Sequence, residues 1–227
     1  MKKYIVLTTF SLLVALNVSC QSKTKDKNKD ATAIAQKQTP VKVAPVNGLE
    51  KAYFASGCFW CVEAVYESVK GVEESISGYS GGHTENPTYE ASNTGRTGHA
   101  EAVEIIYNPK YVSFSDLVDV YFGSQNITQV NGQGPDNGSQ YRSIIFYQDD
   151  VQKKIIDTKI AELEKEVGEG KVAAEVLPFQ KFWIAEDYHQ NYERLHPNQP
   201  YIQGVSIPRL NKFKKKFPQL LKEDGNH

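Results

Sequence analysis

Two cysteines stand two residues apart in Gly57-Cys58-Phe59-Trp60-Cys61, between a strand-like run and a helix-like run. Ala52-Tyr53-Phe54-Ala55 before them is apolar and aromatic enough for a buried strand. Val62 to Val69 after them carries its apolar residues at helical spacing. A cysteine at such a junction sits beside unpaired backbone N–H groups and the positive end of the helix dipole. Both favour an anion, so Cys58 is expected to be a low-pKa, reactive thiol. Cys61 follows one turn along, where it can trap an oxidised Cys58. The pattern points to thiol redox chemistry.

Two plainer readings fit less well. A zinc site built on one C-x-x-C needs a second pair of Cys or His ligands at matching spacing. No cysteine follows Cys61, and the five histidines show no such pairing. A structural disulfide closing so short a loop constrains little of the unfolded chain. Neither a metal nor a cofactor is expected.

The chain has 227 residues, enough for one domain with appendages. Its formal net charge of −1 gives no reason to expect nucleic acid as a partner. Residues 1–20 read as a targeting segment, with Lys2 and Lys3 ahead of an apolar run from Tyr4 to Leu16 and Val18-Ser19 before Cys20. A cysteine in that place resembles the acylated cysteine of bacterial lipoproteins, although Asn17 stands where Leu is usual. An ordinary signal peptide is the alternative, and the apolar run is too short for a stable span. Cys20 is therefore the expected lipid anchor. Residues 21–48, rich in Lys, Asp, Thr and Gln, cannot bury enough surface to order themselves and read as a flexible tether. The catalytic domain is placed at 49–215 and a C-terminal tail at 216–227.

Within the domain, Ala102 to Tyr107 and Ser143 to Tyr147 read as strands, and Lys171 to Leu177 as another. Ser113 with Asp116 is a capping box for a helix through Phe122. A longer helix starts at Asp149-Asp150, with Val151, Ile155, Ile160, Leu163 and Val167 along one face, and ends near Gly168. Ile184 to Leu195 reads as a short helix. Ser77 to Gly98 and Gln125 to Gln140 read as long functional loops. The expected fold is α+β: a two-layer sandwich of a mixed sheet and helices.

Six blocks in this order resemble the A-type peptide methionine sulfoxide reductases. They are Gly57-Cys58-Phe59-Trp60, Gly78-Tyr79-Ser80-Gly81-Gly82, Asn86-Pro87-Thr88-Tyr89, Thr97-Gly98-His99-Ala100-Glu101, Asp136-Asn137-Gly138-Ser139-Gln140-Tyr141-Arg142-Ser143 and Ala185-Glu186-Asp187-Tyr188-His189-Gln190. The resemblance spans about Tyr53 to Pro208 and implies that family's fold, with its ferredoxin-like core. The chemistry can be stated independently. Reducing a sulfoxide needs a thiolate on its sulfur and a proton for its oxygen, because oxide is a poor leaving group. The resemblance implies Cys58 as nucleophile, passing through a sulfenic acid, and Glu101 as proton donor, a buried carboxyl kept protonated. It implies Tyr89 and Tyr141 as donors to the oxygen, Asp136 as the residue ordering them, and Phe59 and Trp60 as an apolar wall for the S-methyl group. His99 is expected to be structural. Read singly, these aromatic and acidic residues would be ordinary core, loop or solvated side chains. The joint pattern assigns them.

The chain also departs from the family. Gln125-Asn126-Ile127-Thr128 stands where His-Asp-Pro-Thr is frequent, and Gly132 where Arg is often found. Many relatives resolve the sulfenic acid with C-terminal cysteines, and this chain has none after Cys61. Cys61 itself takes a position that is commonly Gly, so it is the candidate resolving thiol. The resemblance implies methionine S-sulfoxide, in proteins or free, as substrate and a thioredoxin-like reductant for a Cys58–Cys61 disulfide. A monomer held at a bacterial envelope membrane through its lipid alone completes the expectation. A thioredoxin-type oxidoreductase would share the C-x-x-C, but Glu101, Tyr89, Asp136 and Tyr141 have no task in its chemistry. A peptide-binding lipoprotein without catalysis is the third alternative.

Overall fold

The computed structural model describes residues 36–223. The targeting segment, Cys20 and most of the expected tether lie outside them. A six-stranded mixed sheet forms the centre, in the order β7-β6-β1-β3-β2-β8. Its strands are β1 (Glu50–Ala55), β2 (Val72–Ser80), β3 (Ala100–Tyr107), β6 (Ile144–Tyr147), β7 (Glu175–Pro178) and β8 (Phe182–Ile184). All neighbours are antiparallel except β6 and β7. A separate two-stranded ribbon joins β4 (Gly132–Gln133) to β5 (Asp136–Asn137).

One face of the sheet is buried under α1 (Phe59–Glu67), α3 (Phe114–Gly123), α4 (Asp150–Val167) and α6 (Ile207–Lys216). Alternation along β3 supplies that layer with Val103, Ile105 and Tyr107, as the sequence predicts. Ser113 closes its capping box with Asp116 and starts α3 where expected. The opposite face carries a smaller apolar cluster, in which Tyr53 stacks on Phe179 with ring centroids 3.7 Å apart.

Several sequence expectations need correction. Along α4, Ile155, Ile160 and Leu163 pack against the core as expected and Ile156 is buried beside them, whereas Val151, which is 70% exposed, and Val167 are exposed at the two ends of the helix. The strand expected from Lys171 starts at Glu175, where pairing with Ile144 begins. Ile184 ends β8 instead of opening a helix; a 3₁₀ turn (Asp187–His189) and α5 (Tyr192–Leu195) come next, separated by Asn191 in the left-handed region. Ser77–Ser80, read as loop, is the end of β2, and α2 (Tyr89–Asn93) interrupts the same stretch.

Both appendages are partly docked. The Val41 N–H bonds to the Phe179 carbonyl and the Val43 N–H to Gln148 Oε1. Phe217 packs on Phe213, and Leu221 pairs with Val69 beyond α1.

Candidate active site

Cys58 is the residue before α1, held there by a turn that only glycine enters easily. Gly57 has φ +87°, and a Cβ on it would lie 2.6 Å from that of Gln133. Helical periodicity then brings Cys61 to the same face as Cys58, close enough for each thiol to shift the ionisation of the other. Both are reduced and almost wholly buried. Burial pushes the Cys58 thiol well up, against the low pKa expected from sequence, and the neighbouring Cys61 adds to the rise. The nearby Cys58 thiol, helped by Arg209, lowers Cys61 to about 7, so the two thiols titrate as a pair. Helix-end stabilisation loses at Cys58 because the first free N–H of α1, that of Phe59, is taken by a carboxylate.

That carboxylate is Glu101, near the start of β3. Its Oε2 accepts the Phe59 N–H at 3.0 Å, and burial raises its carboxyl to about 8. It is therefore protonated at neutral pH and able to act as an acid next to Cys58. Tyr89 opens α2 and Tyr141 ends a 3₁₀ turn (Ser139–Tyr141), and the two phenols are near enough to influence each other's ionisation. Both phenols feel the Glu101 and Cys58 charges, and burial raises both. Asp136 on β5 accepts from the Tyr201 hydroxyl at 2.6 Å. The structure thus gathers Cys58, Cys61, Glu101, Tyr89, Tyr141 and Asp136 around the start of α1.

The aromatic pair divides its work. Phe59 has no exposed surface and packs behind the site on Tyr79, Tyr89 and His189. Trp60 is half-buried and stacks on Tyr192 at 3.8 Å, which leaves it as the wall that substrate can meet. His99 is structural: Gly82 N donates to its Nδ1, and its Nε2 meets the Thr84 carbonyl, pinning the loop after β2.

Other residues hold the site without having been assigned a role from sequence. Glu186 accepts from the Tyr89 N–H at 2.9 Å and from the Tyr79 hydroxyl at 2.8 Å. His189 Nδ1 accepts from the Trp60 indole at 3.1 Å, and burial lowers its pKa, keeping the ring neutral. Both belong to the last of the six sequence blocks, so their presence was visible and only their task was not. Tyr201 and Arg209 carried no sequence signal. Tyr201 lies 65 residues from Asp136 along the chain, and its hydroxyl is 3.7 Å from the Cys61 sulfur. Arg209 bonds to the Ser56 carbonyl and hydroxyl and to the Ser124 carbonyl, fixing the strand end that precedes Cys58.

The departures from the family pattern rebuild the loop after α3. Gln125 bonds to the Tyr121 carbonyl, to Ser143 and to Gln133, whose side chain also accepts from the Asn126 N–H. Gly132 can carry no side chain without movement, since a Cβ would lie 2.5 Å from the Asp136 carbonyl oxygen. A cleft of about 1110 Å³ opens between this loop and α6, with Cys61, Gln133, Asp136 and Arg209 among its walls. A smaller cavity of about 380 Å³ near His99 and Trp183 contains none of the assembled redox residues. Among the described residues no three His, Cys, Asp or Glu side chains converge as a ligand set for a metal.

Comparison with known proteins bears on this constellation. Residues 50–221 match the family model described as peptide methionine sulfoxide reductase. The chain is 48% identical over 173 residues to "Peptide methionine sulfoxide reductase MsrA" of Pasteurella multocida, covering 76% of this chain and 99% of that protein. The protein of the same description from Saccharolobus solfataricus is 45% identical over 174 residues, covering 77% and 98%. Reduced Mxr1 from Saccharomyces cerevisiae is similar in structure, with a TM-score of 0.62 and 32% identity over 74% of this chain and 94% of that one.

Proposed function

The chain belongs to the peptide methionine sulfoxide reductase family, and we propose that its Cys58 reduces methionine S-sulfoxide, in proteins or free, and is resolved by Cys61. The enzyme is a thiol-dependent methionine sulfoxide reductase. The observation that carries the residue assignment is the placing of two adjacent buried thiols and a protonated, buried Glu101 at one end of α1.

The steps follow from those protonation states. Trp60 holds the methyl group, and Tyr89 and Tyr141 donate to the sulfoxide oxygen. The Cys58 sulfur attacks the sulfoxide sulfur while its proton passes to the Cys61 thiolate, and Glu101 protonates the oxygen. The hydroxyl then moves from the methionine sulfur to the Cys58 sulfur as the bond between the two sulfurs breaks, which releases methionine and leaves Cys58 as a sulfenic acid. Cys61 then attacks the Cys58 sulfur, expelling water and leaving a disulfide. A thioredoxin-like dithiol is the donor that suits a disulfide in so small a ring, since a two-thiol reductant attacks one sulfur and then releases itself.

Single turnover with a peptide methionine S-sulfoxide tests the assignment. Cys58→Ser releases no methionine. Cys61→Ser releases about one equivalent and stops at a sulfenic acid, because one thiol suffices for the first step. Mass spectrometry of the wild type finds the Cys58–Cys61 disulfide; a persisting sulfenic acid with Cys61 free would refute the resolving role.

The membrane attachment rests on the sequence of residues 1–20 alone, with acylated Cys20 as the anchor at the bacterial envelope. Among the described residues no helix is long and apolar enough to cross a membrane. Cys20→Ser moves the protein from the membrane to the soluble fraction at unchanged specific activity. Retention in membranes would remove Cys20 as the anchor.

A further inference from the structure

A run of hydrogen bonds leads away from Cys61 and ends on a carboxylate. Tyr201 donates to Asp136 Oδ2 at 2.6 Å, which commits its one proton, because an ionised carboxylate only accepts. The Cys61 sulfur lies 3.7 Å from the same phenolic oxygen. When Cys61 carries its proton, that contact runs from the thiol to the phenolic oxygen. Cys61, Tyr201 and Asp136 form a series with a single direction. Tyr201 also directly precedes a π-helical turn (Ile202–Ser206), an irregular winding found most often where a side chain has been set for a task.

Resting on the reading of Cys61 as the resolving thiol, we propose that Tyr201 relays the Cys61 proton to Asp136 while Cys61 attacks the Cys58 sulfenic acid. The first step leaves Cys61 protonated, since it has just taken the Cys58 proton, and a thiol is a poor nucleophile. In the second step the proton on Cys61 moves to the phenolic oxygen as the phenolic proton moves to Asp136. The Cys61–Cys58 sulfur bond forms and the bond from the Cys58 sulfur to oxygen breaks. The departing hydroxide takes a proton from Glu101, itself reprotonated from solvent, and leaves as water. One sulfur is oxidised and the other reduced, so no further redox partner enters. Asp136 is half-buried and lines the open cleft, so it returns its proton to water.

The surrounding charges are compatible. Cys58 and Glu101 face the series from the residue before α1 and from β3, and the Ser206 hydroxyl of the π turn donates to Glu193. Among the described residues, Arg209 on α6 is bonded to two carbonyls and a hydroxyl, and to no carboxylate. Its charge is left to favour both the Cys61 thiolate and the Asp136 carboxylate. None of these groups offers Cys61 a base as directly placed as Tyr201.

Tyr201→Phe tests the relay, since it keeps the ring packed edge-on to Trp60 at 6.1 Å and removes only the hydroxyl. One equivalent of sulfoxide is mixed with reduced protein between pH 6 and 9, and methionine, sulfenic acid and disulfide are followed separately. In the variant, methionine is still released, which also certifies that the protein is folded. Disulfide formation at pH 6 to 7 slows by at least about tenfold, as for a lost general base. The deficit shrinks towards pH 9, where Cys61 loses its proton directly to solvent. Equal disulfide rates in both proteins at every pH would overturn the relay and leave Cys61 as the resolving thiol. Absence of any disulfide in the wild type would overturn the resolving role and the relay together. Loss of methionine release in Tyr201→Phe would place the hydroxyl in the first step and overturn the relay as stated.

Discussion

In the proposed mechanism Glu101 and Cys61 set opposite limits on when the first step can run. Glu101 must be protonated to act as an acid, and burial holds it so up to about pH 8. Cys61 must be ionised to take the Cys58 proton, which happens above about pH 7. Methionine release in single turnover is therefore bell-shaped, with limbs near those values. Glu101→Gln cuts the rate by about two to four orders of magnitude and removes the alkaline limb. A near-normal rate with that limb intact would mean that another group donates the proton. The identities of Cys58, Cys61 and Glu101 were legible from the chain, because motif order marks them. Which of the two thiols ionises first was not. That depends on burial and on the closeness of the two thiols, and a helix end seen in sequence does not reveal that its first N–H is already taken by Glu101.

At the scale of elements, α1 is clamped to the sheet by another buried acid. Glu63, in the middle of α1, accepts from the Ser77 hydroxyl of β2 and from the Asn191 N–H. Burial raises it from its ordinary 4.5 to about 7. Between those values the folded protein holds a proton that the unfolded chain has lost. Stability therefore falls as pH rises through this window and levels above it. Glu63→Gln keeps both hydrogen-bond partners with no charge to bury. Its urea midpoint gains on the wild type from pH 5 to pH 8 by a margin on the order of 2 kcal/mol. An unchanged difference between the two proteins across that range would show that Glu63 is not the titrating group. Element types were legible where a local signal existed, as in the Ser113–Asp116 capping box. The stretch from Ile184 to Leu195 misled because its residues suit a helix, while edge pairing with β2 claims Ile184 and the left-handed Asn191 separates the 3₁₀ turn from α5.

Over the whole molecule, the second face of the sheet is covered in part by residues that the sequence assigns to a tether. Val43 packs against the cluster of Tyr53 and Phe179, and the Val41 and Val43 N–H groups are bonded to the domain. A chain starting at Gln36 keeps these contacts, and one starting at Leu49 loses them. The shorter chain unfolds about 1–3 kcal/mol more easily in urea, the worth of a part-buried valine and two hydrogen bonds, with its activity retained. Identical midpoints would show that the segment contributes nothing. Low apolar content made residues 21–48 read as uniform, yet a single valine beside an open apolar face is enough to dock its end. By itself the sequence determined the reaction class and the α+β layering, and through the family resemblance it offered Cys58 and Glu101 as candidate nucleophile and acid, with Cys61 as the available second thiol. These follow from residue types at fixed local spacing and from the order of the motif blocks. Only the tertiary structure placed Tyr201 between Cys61 and Asp136, set Glu186 and His189 behind Tyr89 and Trp60, and buried the two thiols so that they titrate as a pair. Each of those depends on groups distant in the chain meeting where water is excluded, and local sequence spacing does not encode such meetings.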